Sequence, residues 1–250
     1  MSDAEVMLSV SGVSKHFGGV IANENISLSV RKGEIVGLIG PNGSGKSTLF
    51  GSICGYHPID KGSIKYRGRE TKKMRTAEIA RLGMVRTFQQ THVYDEMDCV
   101  RNMLISRPVR SSSVRSLLHR PNPDDLGRAE ELLEFVGLAS KRHLLAGSLS
   151  FGQQKLLEFA MALMNEPEVL LLDEPTAGIN PTLINGLIDR LKQANERFGV
   201  TLFVIEHNMR VMMNLANEIH VLAAGRLIAS GQPKDIQNDP RVIEAYLGGH

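Results

Sequence analysis

The chain has 250 residues, 42% of them hydrophobic, and its 29 basic and 27 acidic residues leave a net charge of +2. That length can bury a substantial apolar interior, as one large domain or a core with a smaller lobe, and the near balance of charge implies neither a nucleic-acid footprint nor an acidic tail. Cys54 and Cys99 stand far apart without metal-ligand spacing and read as buried free thiols, Met1-Ser2-Asp3-Ala4-Glu5 lacks the basic and apolar character of a signal peptide, and no apolar run approaches the ~18 residues of a membrane span.

Residues Leu8 to Val13 and Ile26 to Val30 alternate apolar and polar, as half-exposed strands do, and are joined through Phe17-Gly18-Gly19, so an antiparallel β-region opens the chain. Phe17 is either a core aromatic or a flat face on which adenine stacks. The apolar run Ile35-Val36-Gly37-Leu38-Ile39 then reads as a buried strand leading into Gly40-Pro41-Asn42-Gly43-Ser44-Gly45-Lys46-Ser47-Thr48, and Thr48 to Ile53 can open a helix. This matches the phosphate-loop pattern G-x-x-x-x-G-K-[ST] in its required setting between strand and helix. The glycines let backbone N–H groups converge on phosphate oxygens, and the helix N-terminus adds its positive end. Lys46 supplies a mobile charge to the β- and γ-phosphates, while the Ser47 hydroxyl is a hard ligand suited to Mg²⁺. Asn42-Gly43-Ser44 also spells a glycosylation acceptor, but sugar there would abolish phosphate binding.

Gly62 to Gly68 reads as a short exposed strand, Thr76 to Leu82 as a short helix, and Met84 to Gln89 as a strand whose last residue either brings an amide toward the nucleotide or is simply solvated. From Thr91 to Ser148 the periods become helical, marking a second lobe broken by Arg107-Pro108 and by Pro121-Asn122-Pro123-Asp124-Asp125. Arg107, Arg110, Arg115 and Arg120 suit either a surface loop or a contact with lipid headgroups or an acidic partner. Asn122 to Asp125 loosely fits a guanine-selecting N-x-x-D pattern but lacks its Lys and its preceding strand. Between Thr91 and Ser106 the apolar residues Val93, Tyr94, Met97, Val100, Met103, Leu104 and Ile105 exceed what one helix stripe needs for its own lobe.

Leu149-Ser150-Phe151-Gly152-Gln153-Gln154 leads into an amphipathic helix, Lys155 to Asn165, with Ser150 near its start. Val169 to Glu174 is a buried strand delivering Asp173 and Glu174 at its C-terminal end, the edge where ligands bind an open parallel sheet. Side chains alternate along a strand, so the two carboxylates can take different tasks, one near the metal and one near an attacking water. A helix from Pro181 to Phe198, a strand from Val200 to Ile205 ending in Glu206-His207, a last helix from Asn208 to Ala216 and a hairpin from Ile219 to Ala229 close the body, with Met209, Met212 and Met213 assigned to helix packing.

In this order the pieces resemble the ATP-binding subunit of ABC transporters along almost the whole chain. Phe17 matches the adenine-stacking aromatic, Gly40 to Thr48 the Walker A loop, Gln89 the Q-loop, Leu149 to Gln153 the signature sequence, Asp173 and Glu174 the end of Walker B, Ala177 to Asn180 the D-loop and His207 the switch histidine. Phe151 replaces the usual Gly of the signature and Asn180 the usual Asp of the D-loop. With Phe17-Gly18-Gly19, Arg86-Thr87-Phe88-Gln89 and Ala245-Tyr246-Leu247-Gly248, these variations look like the branched-chain amino-acid importer subfamily, with urea and lipopolysaccharide transporters as close competitors.

The resemblance implies an α/β fold, a P-loop NTPase core with an N-terminal antiparallel β-region and an inserted α-helical subdomain, the core spanning 1–90 and 160–250 and the helical part 91–159. It also implies ATP and Mg²⁺ as ligands. Glu174 polarises the attacking water, Ser47, Gln89 and Asp173 hold the metal, Asp173 through water, His207 steadies the γ-phosphate and Gln89 senses it. Ser150, Gly152 and Gln153 complete the site of an opposite subunit, which implies a homo- or heterodimer. The implied partners are integral membrane permease subunits and, indirectly, a solute-binding protein, with no nucleic acid, at the cytoplasmic face of the inner membrane. A soluble ABC ATPase of DNA repair or translation is the rival, but the chain has one cassette and no sustained heptads.

Overall fold

The computed structural model describes residues 5–87, 93–107 and 122–247. Gln89 and most of the basic segment, including Arg110, Arg115 and Arg120, lie outside the described residues. In chain order the elements are strands β1 (Val6–Phe17), β2 (Val20–Arg31) and β3 (Ile35–Ile39), helix α1 (Lys46–Ile53), strands β4 (Lys61–Tyr66) and β5 (Arg69–Glu70), helix α2 (Thr76–Arg81) and strand β6 (Met84–Arg86). Then follow helices α3 (Cys99–Ile105), α4 (Pro123–Phe135) and α5 (Phe151–Leu163), strand β7 (Val169–Asp173), helix α6 (Pro181–Phe198), strand β8 (Thr201–Ile205), helix α7 (Met209–Leu215), strands β9 (Glu218–Ala223) and β10 (Arg226–Gly231), and helices α8 (Pro233–Asn238) and α9 (Pro240–Leu247).

These elements group into two compact units, one of Met1–Arg86, Glu168–Pro175 and Leu191–His250, the other of Thr87–Pro167 and Thr176–Arg190. The first unit carries both sheets. In its six-stranded sheet, ordered β10-β9-β3-β8-β7-β6, strands β3, β8, β7 and β6 run parallel, and every residue of β3, β7 and β8 is buried. A parallel strand covered on both faces must be apolar throughout, which is why these segments read as continuous rather than alternating runs. The four-stranded antiparallel sheet, β2-β1-β4-β5, presents Leu8, Val10, Ile26 and Ile64 to a core that also contains Phe50, Leu171 and Phe203. The rings of Phe50 and Phe203 meet there with centroids 4.8 Å apart.

The second unit is helical. Val100 and Met103 of α3, Leu132 and Leu133 of α4 and Leu157 and Ala160 of α5 are buried. Asp98 caps α3, its carboxylate accepting from the Arg101 N–H at 2.7 Å. Asn122 caps α4 with Pro123 in the first turn, so the stretch that loosely fits a guanine pattern is a helix start. The expected boundary at 159/160 falls inside α5, whereas the compact unit keeps that helix whole and gains Thr176–Arg190.

Asn208 to Ala216 is not the last helix, because α8 and α9 follow the hairpin. Gln232-Pro233 and Asp239-Pro240 carried the signal, proline at the first helical position, but each helix is too short to show a period. Both cysteines are buried free thiols as expected, and burial pushes the Cys54 thiol up to about 12.

Candidate nucleotide site

The phosphate loop leaves β3 at Gly40 and enters α1 at Lys46, at the C-terminal edge of the parallel sheet. Gly40 and Gly45 have φ of 151° and 97°, and a Cβ on either would lie 2.0 Å from the Leu222 carbonyl oxygen or 2.1 Å from that of Ala22. Only glycine lets the loop sit this close to the strands on either side. The Asn23 side chain, fully buried, donates to the Gly45 carbonyl at 3.0 Å, and the Gly225 N–H donates to the Ser44 carbonyl at 3.2 Å. The loop is therefore braced by β2 and by the β9–β10 turn, and Asn23 and the C-terminal hairpin are supports that the sequence patterns do not single out.

Lys46 is folded back onto its own loop, its ammonium donating to the carbonyls of Gly40 at 2.8 Å and Pro41 at 3.0 Å. Burial lowers its pKa, opposed by the negative charges of Glu174 and Asp173, which favour the ammonium. Lys46 is thus within electrostatic reach of both strand-end carboxylates. Asn42, Gly43 and Ser47 are exposed, with Thr48 half-buried, as groups that receive a ligand from solvent must be.

Asp173 and Glu174 stand in different settings, because β7 ends between them. Asp173 ends β7 with its side chain 2% exposed, whereas Glu174 has a φ of 49° and its N–H donates to the Ile205 carbonyl at 2.9 Å. A left-handed conformation costs a non-glycine residue about 1 kcal/mol and turns Glu174 out of the strand direction. His207, at the end of the neighbouring β8, is exposed and places Nδ1 3.9 Å from Glu174 Oε2 and 4.0 Å from Glu206 Oε2. Asp173 Oδ2 accepts from the Arg86 guanidinium at 2.6 Å, while its Oδ1 is buried and has no hydrogen-bond partner among the described residues. A buried carboxylate oxygen left open in this way, with the accessible Ser47 hydroxyl in the same unit, is a donor set that suits a hard divalent cation.

Phe17 is not a core aromatic. It is 46% exposed at the end of β1, with Lys15 Nζ 4.9 Å from its centroid and the His57 ring edge-on at 5.3 Å, so its position allows a stacked base. In the helical unit Ser150 and Gln153 form a reciprocal cap of α5: the Ser150 hydroxyl accepts from the Gln153 N–H at 3.4 Å, and the Gln153 side chain accepts from the Ser150 N–H at 3.1 Å. The Gln153 amide oxygen is therefore engaged within its own chain. The two departures from the usual motifs have these local settings. A Cβ on Gly178 would lie 2.9 Å from the Phe151 ring, and Asn180 accepts from the Thr182 N–H at 3.0 Å, serving the start of α6 as an acidic side chain would.

A family model described as ABC transporter matches residues 23–177, and one described as branched-chain amino acid ATP-binding cassette transporter matches 226–250. The chain is 36% identical to the high-affinity branched-chain amino acid transport ATP-binding protein LivG of Salmonella typhimurium, covering 98% of this chain and 99% of that protein. It is also 36% identical to BraF of Pseudomonas aeruginosa, a high-affinity branched-chain amino acid transport ATP-binding protein, covering 97% and 98%. The crystal structure of the ADP conformation of MJ1267, an ATP-binding cassette of an ABC transporter, superposes with a TM-score of 0.87 at 34% identity, covering 97% of this chain and 99% of that one.

Proposed function

The chain belongs to the ABC transporter family of ATP-binding proteins, and from that premise we propose that it hydrolyses ATP to drive import of branched-chain or other amino acids through membrane permeases. The observation that carries the reading is the convergence of Lys46, Asp173 and Glu174 at one edge of the parallel sheet, where the phosphate loop begins. The names of LivG and BraF, and the match of residues 226–250, support branched-chain amino acids as the solute class.

In this reading the loop N–H groups and Lys46 hold the β- and γ-phosphates, and Phe17 stacks on the adenine. Ser47 and Asp173 would hold Mg²⁺, which would offset phosphate charge. Glu174 takes the proton of the attacking water, and His207, within 3.9 Å of that carboxylate, orients the γ-phosphate. Gln89 follows the γ-phosphate, and Ser150 and Gly152 cap the phosphate held by a second ATPase subunit. Among the described residues no helix is long and apolar enough to cross a membrane. In the same reading the chain associates at the cytoplasmic face of the inner membrane with the permease subunits, and a solute-binding protein is engaged indirectly.

The test is phosphate release from ATP and Mg²⁺ by the purified chain, followed by uptake of leucine, isoleucine or valine in vesicles containing the co-purified permeases. Absence of phosphate release removes the ATPase, while release with no stimulated uptake of these solutes removes the solute class.

Permease docking is assigned to the stretch carrying Val93, Tyr94 and Met97. Tyr94 is 51% exposed, Val93 and Met97 are half-buried, and Val100 and Met103 belong to the core. The buried Asn102 amide fixes this stretch, accepting from the Tyr94 N–H at 2.7 Å and donating to the carbonyls of Tyr94, Met97 and Asp98 at 3.1, 3.2 and 3.0 Å. Tyr94→Glu is expected to lower transport by on the order of tenfold, as loss of an interface aromatic does, with ATP hydrolysis and melting temperature unchanged. Unchanged transport, or a collapse of melting temperature like that expected of Met103→Glu, would remove Tyr94 from the docking surface.

A further inference from the structure

The motif resemblance assigns no role to Arg86, yet its side chain makes the one direct hydrogen bond to the Asp173 carboxylate found among the described residues. β6 and β7 run parallel with Arg86 opposite Leu171, so Asp173 lies two residues further along β7 on the same face. Two strand residues span about 6.6 Å, a distance an extended arginine covers. The guanidinium donates to Asp173 Oδ2 at 2.6 Å, and its central carbon lies 6.0 Å from the Phe50 centroid and 5.7 Å from that of Tyr56. Phe50 is one turn along α1 from Lys46, so the helix that begins with the phosphate-loop lysine also packs against the guanidinium.

We propose that Arg86 is a positioning residue for the metal-binding carboxylate: by fixing Oδ2 of Asp173 it leaves Oδ1 alone to meet the cation, and thereby sets the Mg²⁺ requirement of nucleotide binding. This rests on the reading of Asp173 as a metal ligand. An ion pair serving stability alone gives no reason for the second oxygen to stay buried without a partner, at the cost such a group carries. Here one oxygen is committed and the other is open. The planar fork of arginine, near two aromatic rings, directs its donor in a way a flexible ammonium cannot.

Two effects of removing Arg86 oppose each other, which makes the idea decidable. Loss of its charge would relieve repulsion and strengthen binding of a nearby cation, whereas loss of its orienting bond would weaken it. The measurement is binding of a fluorescent ATP analogue to the full chain in a Glu174→Gln background, titrated with Mg²⁺, with affinity in EDTA as the baseline. Arg86→Met is expected to raise the Mg²⁺ concentration for half-maximal enhancement by about tenfold, with the EDTA baseline within about twofold of the parent. Arg86→Lys should shift it in the same direction by less, and it carries the test if Arg86→Met fails to fold. An unchanged or lowered Mg²⁺ requirement in the folded variants overturns the proposal. Asp173→Asn, run alongside, separates the two readings: if it raises the requirement and the Arg86 variants do not, only the positioning role falls, and if it does not, the metal-ligand reading falls with it.

Discussion

Glu174→Gln should bind ATP as tightly as the parent and nearly cease to hydrolyse it. A positioned general base contributes on the order of 10²- to 10⁴-fold in rate, roughly 3 to 5 kcal/mol of barrier. The substitution keeps the size and hydrogen-bonding reach of the side chain while removing its ability to take a proton. The phosphate cradle is untouched, because Gly45 is held by Asn23 and Lys46 by the loop's own carbonyls. The φ of 49° at Glu174 disfavours glutamate and glutamine alike, so stability should hardly move. Single-turnover phosphate release and nucleotide affinity on the same preparation are the measurements. Near-parental turnover would place the base elsewhere. A parallel loss of affinity would mean that Glu174 positions the nucleotide rather than the water.

The elements that could be read in advance are those whose signal is local. β3, β7 and β8 announce themselves as unbroken apolar runs because both of their faces are covered, and the phosphate loop follows from spacing alone. That β7 delivers Asp173 and Glu174 at its C-terminal end was visible, although the positive φ of Glu174 was not, since nothing in the composition of that stretch marks it as left-handed. What could not be read is what depends on register between distant strands. Arg86 meets Asp173 only because β6 aligns Arg86 with Leu171, and the Met84 to Gln89 stretch drew attention to its end rather than to its third residue. Asn23 lies 22 residues from the Gly45 carbonyl it supports, inside β2 but before the alternating stretch Ile26 to Val30 that marks the strand in the sequence. Phe17 shows the same limit, because core and stacking roles share one residue type and only its exposure on β1 separates them.

Lys46→Ala and Ser150→Arg should each abolish ATP-driven assembly, but through separable defects. The Lys46 ammonium is buried and holds the carbonyls of Gly40 and Pro41, so its loss removes both a tie within the loop and the charge offered to the phosphates. Hydrogen bonds to a charged group are worth about 1.5 to 3 kcal/mol each, so nucleotide affinity should fall by roughly 10- to 100-fold or more in the isolated chain. Ser150 stands in the other unit as the cap of α5, and its hydroxyl and the half-buried Gly152 mark the helix end proposed to face the phosphate of a second subunit. An arginine there leaves the phosphate loop of its own chain unaltered, so nucleotide should still bind. Its bulk enters the partner's site, so the dimer should not close. Loss of the cap itself costs about 1 kcal/mol, an effect that Ser150→Ala isolates. Equilibrium nucleotide binding together with sedimentation of the Glu174→Gln protein in ATP reads both properties. If Ser150→Arg lost nucleotide binding as a monomer while still assembling, the cross-subunit role of the α5 N-terminus would be wrong. If Ser150→Ala alone abolished assembly, the cap rather than the bulk of arginine would govern closure.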